Sequence, residues 1–373
     1  MRCVTAVAVG GLLGLGGSGQ AAGEPIVKLF PSLVTRLSNA LELPPSDTVP
    51  EELLTVQRAT RVPFFRGPES PTASFSFRFD PDRGVPVPSA EGLGPFYAQR
   101  PDTVGRRHFS FGVTYTRVDF TELDGANLDA LKITLPGPVA IDVSATVQVD
   151  AVNFQATYGL LDELDVAIAI PLVHQFVGLK GAMTTPFGTT SARISRDVTG
   201  LGDILLAAKY RFYDTERLAL AARLEVSLPT GDDDDFLGFG TVQVSPALVA
   251  STNVGYGIVP HLNVGLHLSG DTAKLDHQAF YVAGVDWNIA RSLTASLSVV
   301  GTHIIDNDRP KLLQSSGEGI RVRRSSSDII DLGIGFKAVV WRRTVLVGGV
   351  LLPLNDTGLR APVVMSAGVE LPF

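Results

Sequence analysis

The chain holds one cysteine in 373 residues. That residue, Cys3, sits at the very start, so disulfides are expected to play no part in holding a mature domain together. Charge is sparse too. Asp, Glu, Lys and Arg make up 18% of the chain, below the roughly 25% usual for soluble domains. The net charge of -7 comes without a dense basic stripe, which argues against a nucleic-acid partner. Beyond the N-terminal segment no stretch reaches the roughly 18 apolar residues of a membrane helix. A helical membrane protein is therefore excluded. Catalytic signatures are missing as well: there is no G-x-S-x-G, no H-E-x-x-H and no P-loop, and no cofactor is expected. The 6 histidines are scattered. A Ser–His pair built from distant strands is the one enzymatic route left open.

What is present begins with a leader. "MRCVTAVAVGGLLGLGGSGQAAGEP" places Arg2 before an apolar, Gly-rich stretch, then small residues to Ala22. This reads as a secretory signal over residues 1–22. Its glycines make it a poor buried helix.

From His108 onward a period of two recurs. "RHFSFGVTYTRVDF" puts Phe109, Phe111, Val113 and Tyr115 on one face. "VAIDVSATVQVDA" alternates Val139, Ile141, Val143, Ala145, Val147 and Val149 with polar partners. Near Ala151 the apolar parity slips to Val152, Phe154, Ala156 and Tyr158, which predicts a bulge. Further alternating segments run through "LDVAIAIPLVHQF", "DILLAAKYRFY" and "LALAARLEVSL", then recur to Phe373. Strands of this kind, half apolar and half polar, number about twelve, within the range of membrane barrels. The connections alternate as well. "YDTER", "NIARS" and "WRR" are short, whereas "KGAMTTPFGTTSARISRDVTGLG" and "PTGDDDDFLGFG" are long. Outer-membrane barrels carry short periplasmic turns and long external loops.

Aromatic placement adds a third signal. Tyr158, Tyr210, Phe212, Tyr256, Trp287 and Trp341 fall beside the short turns. Amphipathic rings prefer the lipid–water boundary, so these predict a periplasmic girdle. Phe120, Phe176, Phe236 and Phe239 lie near long loops and predict an outer girdle. The chain ends "SAGVELPF", with Phe373, Leu371 and Val369 on one face. That ending resembles the assembly signal of bacterial outer-membrane barrels, and implies the barrel-assembly machinery as a partner.

Residues 23–106 read differently. "EPIVKLFPSLVTRLSNALEL" has Phe30, Leu33, Val34, Leu37 and Leu41 at helical spacing, interrupted early by Pro31. "TASFSFRFDP" suits a short strand. This part forms either a plug or a periplasmic extension, and its scattered apolar residues favour the plug. The expected fold is all-β: a transmembrane antiparallel barrel of about twelve strands over 107–373, preceded by that segment.

The strand parity assigns a lumen face. It carries Asp142, Asp150, Lys209, Arg211, Arg223, Glu225, Asp286, Asp331, Lys337 and Glu370. Mixed signs imply a lumen laced with ion pairs that either fill the barrel or line a solute path. "GDDDDF" gathers Asp232, Asp233, Asp234 and Asp235 in one loop. Hard oxygen ligands suit Ca²⁺, but no EF-hand spacing is present and a solvated loop is the simpler reading. Arg309, Lys311, Arg321, Arg323 and Arg324 lie in another long loop and suit lipopolysaccharide phosphates.

"TGLGDILLAAKYRFY" and "LALAARLEVSLPTGDD", with "AFYVAGVDWNIARSLTASLSVVG" further on, resemble the outer-membrane family named for a meta-pathway of phenol degradation. The resembling motifs are Gly200 to Asp203 and Leu228 to Asp232. More distantly the chain is similar to long-chain fatty-acid transporters, which also carry an N-terminal plug. The resemblance implies an outer-membrane channel for small hydrophobic or aromatic solutes, with outer-membrane lipids and lipopolysaccharide around it. The alternatives are a structural or adhesive barrel with a closed lumen and an outer-membrane lipid hydrolase.

Overall fold

The computed structural model describes residues 24–40, 77–80, 85–88, 92–135, 139–186, 188–272, 274–305, 310–315, 319–324, 327–341 and 344–373. The leader, Leu41 and Arg309 lie outside them. So do the side chains of Lys311, Arg321, Arg323 and Arg324, whose backbone forms a hairpin of Pro310–Ser315 with Gly319–Arg324.

Twelve strands close into one antiparallel barrel. In chain order they are β1 Phe109–Phe120, β2 Val139–Gly159, β3 Leu164–Thr185, β4 Ile204–Asp214, β5 Leu218–Leu228 and β6 Gln243–Thr252. They continue as β7 Ile258–Ser269, β8 Gln278–Ala290, β9 Leu293–Ile304, β10 Ser327–Trp341, β11 Thr344–Pro353 and β12 Val364–Pro372. Each strand pairs with the next, and β12 returns to β1 from Val364↔Val118 to Pro372↔Ser110. Closure leaves no bare edge within the lipid, where water cannot satisfy backbone groups. The Phe109 and Phe373 backbones complete the seam by exchanging hydrogen bonds of 3.1 and 2.7 Å.

The outer surface is apolar along the alternate positions of every strand. Leu206, Leu224, Leu248, Leu262, Leu297, Ile334 and Leu346 are all exposed. Neighbours Lys209, Arg223, Asn263, Ser298 and Lys337 are buried inside. So many exposed leucines on a soluble protein would drive aggregation. On a closed barrel they form the belt that contacts acyl chains.

Strands β2 and β3 run 21 and 22 residues, far longer than their neighbours. Their upper halves leave the barrel and are flanked by accessory strands Leu131–Leu135 and Gly188–Leu201. The predicted bulge near Ala151 is not there. Register runs without interruption from Phe109↔Tyr158 to Phe120↔Val147. The parity slip in the sequence instead marks a change of surroundings. Above Ala151 the inward side chains are apolar, because they pack on protein. Below it Val152, Phe154 and Tyr158 face outward to lipid.

What they pack on is the helix α1, Leu29–Ala40. Its buried Leu29, Phe30, Leu33, Val34 and Leu37 meet Val143, Val147, Val177 and Leu179 in one cluster. Pro31 does not break this helix. It stands in the first turn, where its missing N–H removes no intrahelical bond. Phe120 and Phe236 belong to the same buried cluster. An outer girdle was the expectation for both, but Phe120 ends β1 on its inward face, and the long loop that carries Phe236 folds inward off the lipid face. Farther along the N-terminal segment, Phe77–Asp80 pairs with Val85–Pro88.

Candidate functional site: an occupied lumen

The lower half of the barrel, at the short-turn end, is occupied by residues 92–104 of the same chain. Nearly all of them are buried. Leu93 N–H donates to Thr294 Oγ1 at 3.0 Å. The Gln99 backbone forms a two-way clasp with the Asn263 amide, at 2.8 and 3.0 Å. Phe96 and Tyr97 meet edge to face at 4.8 Å. They fit because the facing wall is glycine. A Cβ at Gly335 would lie 2.5 Å from Cβ of Phe96, and one at Gly349 would lie 2.8 Å from Cε2 of Tyr97. A side chain at either position would push the segment off the wall.

Charge pins the segment further. The Arg100 guanidinium contacts the Asp286 carboxylate at 2.9 Å, and both side chains are essentially inaccessible. Asp286 also faces His261 Nδ1 at 3.6 Å, whose Nε2 lies 3.3 Å from Ser298 Oγ. Lys209 Nζ donates to the Arg100 carbonyl at 3.2 Å. Val104 N–H donates to Asp165 at 3.1 Å. Register places Asp165, Lys209 and Arg223 side by side across β3, β4 and β5, and Glu225 ion-pairs with Arg223. Opposite them, Lys337 Nζ meets Glu370 at 3.3 Å. Buried charges are tolerable only in such pairs.

The sequence-derived lumen residues separate into groups. Lys209, Arg223, Asp286, Lys337 and Glu370 are buried inside, with Glu225 beside them. Arg211 lies at the short-turn mouth, 3.3 Å from Asp214. Its partner in register is Ala221, with Arg223 one diagonal step away on the same face. Asp331 lies towards the other end, paired with Arg360 at 2.8 Å. Asp142 and Asp150 are on the opposite side of the wall from the one expected. Where the inward face of β2 turns apolar against α1, its polar residues turn outward. Asp150 accepts from the Tyr115 hydroxyl on the outer surface. Arg100, Asp165, His261 and Asn263 were missed. The last three were legible, since each alternates with lipid-facing residues in "LDVAIAI" or "PHLNVGL". Arg100 lies in an irregular segment with no period to read.

Tyr158, Tyr210, Phe212, Tyr256, Trp287 and Trp341 are exposed beside the short turns, Tyr256 at 97%. At the seam the rings of Phe109 and Phe373 lie 6.1 Å apart. Val369 shares their outer face, with the partly exposed Leu371 between.

At the long-loop end two sequence motifs meet. Thr230 Oγ1 donates to the Gly202 carbonyl at 2.8 Å. The Asp203 carboxylate accepts from Gly231 N–H at 3.0 Å and Phe239 N–H at 2.8 Å. Gly238 is pressed against that carboxylate, and a Cβ there would lie 2.2 Å from Asp203 Oδ1. This clasp folds residues 232–239 over the barrel. Three of the four aspartates expected as a possible cation site have their carboxylates engaged. Asp235 binds Arg196 and the Ile26 N–H, Asp233 binds Lys274, and Asp232 accepts from the Asp234 N–H. The Asp234 carbonyl accepts from the Val27 N–H at 3.0 Å. The loop is thus the seat of the helical N-terminal segment.

Besides His261 with Ser298, a second Ser–His pair assembles across strands. Ser245 Oγ lies 2.7 Å from His267 Nδ1, and the imidazole stacks on Phe280 at 4.3 Å. Both members are buried on the inner wall.

A closed twelve-stranded barrel with an apolar belt, short turns at one end and long loops at the other defines a bacterial outer-membrane β-barrel protein. The family described as "Putative MetA-pathway of phenol degradation" matches residues 124–343, and the chain belongs to it. No curated protein sequence matches the chain. Among solved structures, the chain is similar to an outer membrane channel from Pseudomonas putida F1. The two share 12% identity and a TM-score of 0.50, over 73% of this chain and 98% of that one. A FadL homologue from Pseudomonas aeruginosa matches at 9% identity and a TM-score of 0.34, over 79% of this chain and 93% of that one.

Proposed function

We propose that the barrel is an outer-membrane channel for the passive passage of small hydrophobic or aromatic molecules. In this reading residues 23–106 act as its plug. One observation carries it: the interior changes character along its length. Val143, Val147, Val177 and Leu179 make the long-loop end apolar, packed on α1. Arg100, Asp286, Lys209 and Asn263 make the short-turn end polar. A porin for sugars or ions would have no use for an oily outer end. A small molecule with one apolar face and one polar group is matched by both zones. Family membership supports the reading. The protein then acts without catalysis or cofactor. Its surroundings are outer-membrane lipid and lipopolysaccharide, and its assembly uses the barrel-assembly machinery.

The same interior supports a second reading. α1 fills the outer end and residues 92–104 fill the inner end, as a structural barrel with a closed lumen would require. Planar-bilayer conductance and uptake of a small phenol into proteoliposomes test both. A channel passes the phenol, and conductance rises when residues 23–106 are removed. No flux from either form assigns a structural barrel.

A further inference from the structure

The outer face of the tall β2–β3 wall carries two positive charges, Lys180 and Arg193, that no described carboxylate ion-pairs. Its register can be followed upward, row by row. Tyr115, Val152, Leu172 and Leu201 form one cross-strand row, wholly apolar but for a hydroxyl. The next row outward is Arg117, Asp150, His174 and Thr199. The lipid boundary therefore passes between them. Phe176 and Gly178 follow on β3, with the Phe176 ring lying along the bare glycine. Then come Lys180 and Arg193, directly opposite each other on adjacent strands. Both are exposed. They point away from α1, because the intervening Gly181 is the residue that faces Leu33 and Leu37.

Like charges directly opposite in a sheet are destabilising. Among the described residues no carboxylate lies within ion-pair distance of Lys180 or Arg193. The nearby acids are engaged or displaced. Asp129 accepts from Ser144 Oγ at 3.2 Å, Asp142 stands opposite Lys132 in register, and Asp197 lies nearer the membrane beside Phe176. Lys180 and Arg193, with Lys132, Asp129 and Asp142, line a shallow depression of about 670 Å³.

From His174 to Lys180 is about 20 Å of strand at roughly 3.4 Å per residue. At the usual barrel tilt of about 40° that is on the order of 15 Å above the lipid boundary. Acyl chains end below this height, and so do the phosphates of the lipid's own disaccharide. Phosphorylated sugars of the lipopolysaccharide core reach it. We infer that this face docks the phosphorylated core oligosaccharide of lipopolysaccharide. Lys180 and Arg193 take one phosphate between them, Arg193 in bidentate fashion. The Phe176–Gly178 surface is the floor for a sugar ring. The site stands whether or not the lumen conducts, since it lies outside the barrel.

The test uses the whole barrel, refolded in detergent, and native mass spectrometry with two lipopolysaccharides. One has a phosphorylated core and the other is truncated below the phosphorylated sugars. Wild type is expected to prefer the former at least tenfold. The double variant Lys180→Ser, Arg193→Ser should lose that preference while keeping its binding of the truncated form. Arg217→Ser, at an exposed turn on the opposite end, should change nothing. Equal binding of both lipids by wild type, or an undiminished preference in the double variant, overturns the proposal. Inorganic phosphate at millimolar concentration is expected not to compete. Competition by phosphate alone would show a simple anion site and overturn the sugar assignment.

Discussion

Lys209 holds the backbone of Arg100: its ammonium donates to the Arg100 carbonyl across 3.2 Å, with the lysine entirely out of solvent. A wall lysine thus fixes an inner segment that also brings its own cation to the wall acid Asp286. Arg100→Ala would strand Asp286, at a cost of about 3–5 kcal/mol for breaking a buried pair. The segment should then leave the wall. Mean conductance in a planar bilayer is expected to rise, and the urea midpoint to fall. Replacing both partners, Arg100→Met with Asp286→Leu, should restore much of the stability, because well-packed apolar pairs often substitute for buried ionic ones.

The two faces of β5 differ in their tolerance. Leu224 is 47% exposed on the belt. Leu224→Arg is expected to cost about 2–4 kcal/mol near the bilayer midplane. Leu224→Ile should cost little. Reversible unfolding in lipid vesicles measures both, and equal costs would show that Leu224 does not face acyl chains.

The clasp at Asp203 predicts a local effect. Asp203→Ala removes the acceptor for Gly231 and Phe239 N–H groups, each partly buried. Leaving a buried donor unmatched costs about 1–3 kcal/mol. The barrel should survive, while residues 229–240 gain hydrogen exchange and the helix seated on Asp234 and Asp235 loosens with them. Exchange unchanged in that loop would mean the clasp is ornamental.

Phe373 meets Phe109 on the lipid side of the seam. Phe373→Ala should lower the assembled fraction in cells several-fold, read from heat-modifiable migration on a gel, with little change in the stability of barrels that do assemble. A fall in stability as large as the fall in yield would make the ring a packing residue rather than an assembly signal.

Strand identity was readable from residues because lipid outside and polar lumen inside impose opposite chemistry on alternate positions. "LALAARLEVSL" could hardly be misplaced, and it fixed Arg223 and Leu224 to opposite faces. The same rule misassigned Asp142 and Asp150, since it presumes an inside that is always wet. Here α1 brings an oily core indoors, and the parity of β2 inverts without any change in register. Arg100 escaped for another reason. It sits in "YAQRPDTVG", where no repeat relates one side chain to the next, and only the distant partners Asp286 and Lys209 give it a place.

The seam between β1 and β12 joins the two ends of the barrel's sequence. No shorter product can therefore be a finished cylinder: a chain lacking its last strand has two raw margins and nothing to zip them. Such an object is insoluble in oil and sticky in water. Closure therefore waits on the contact most distant in sequence, that between the first strand and the last.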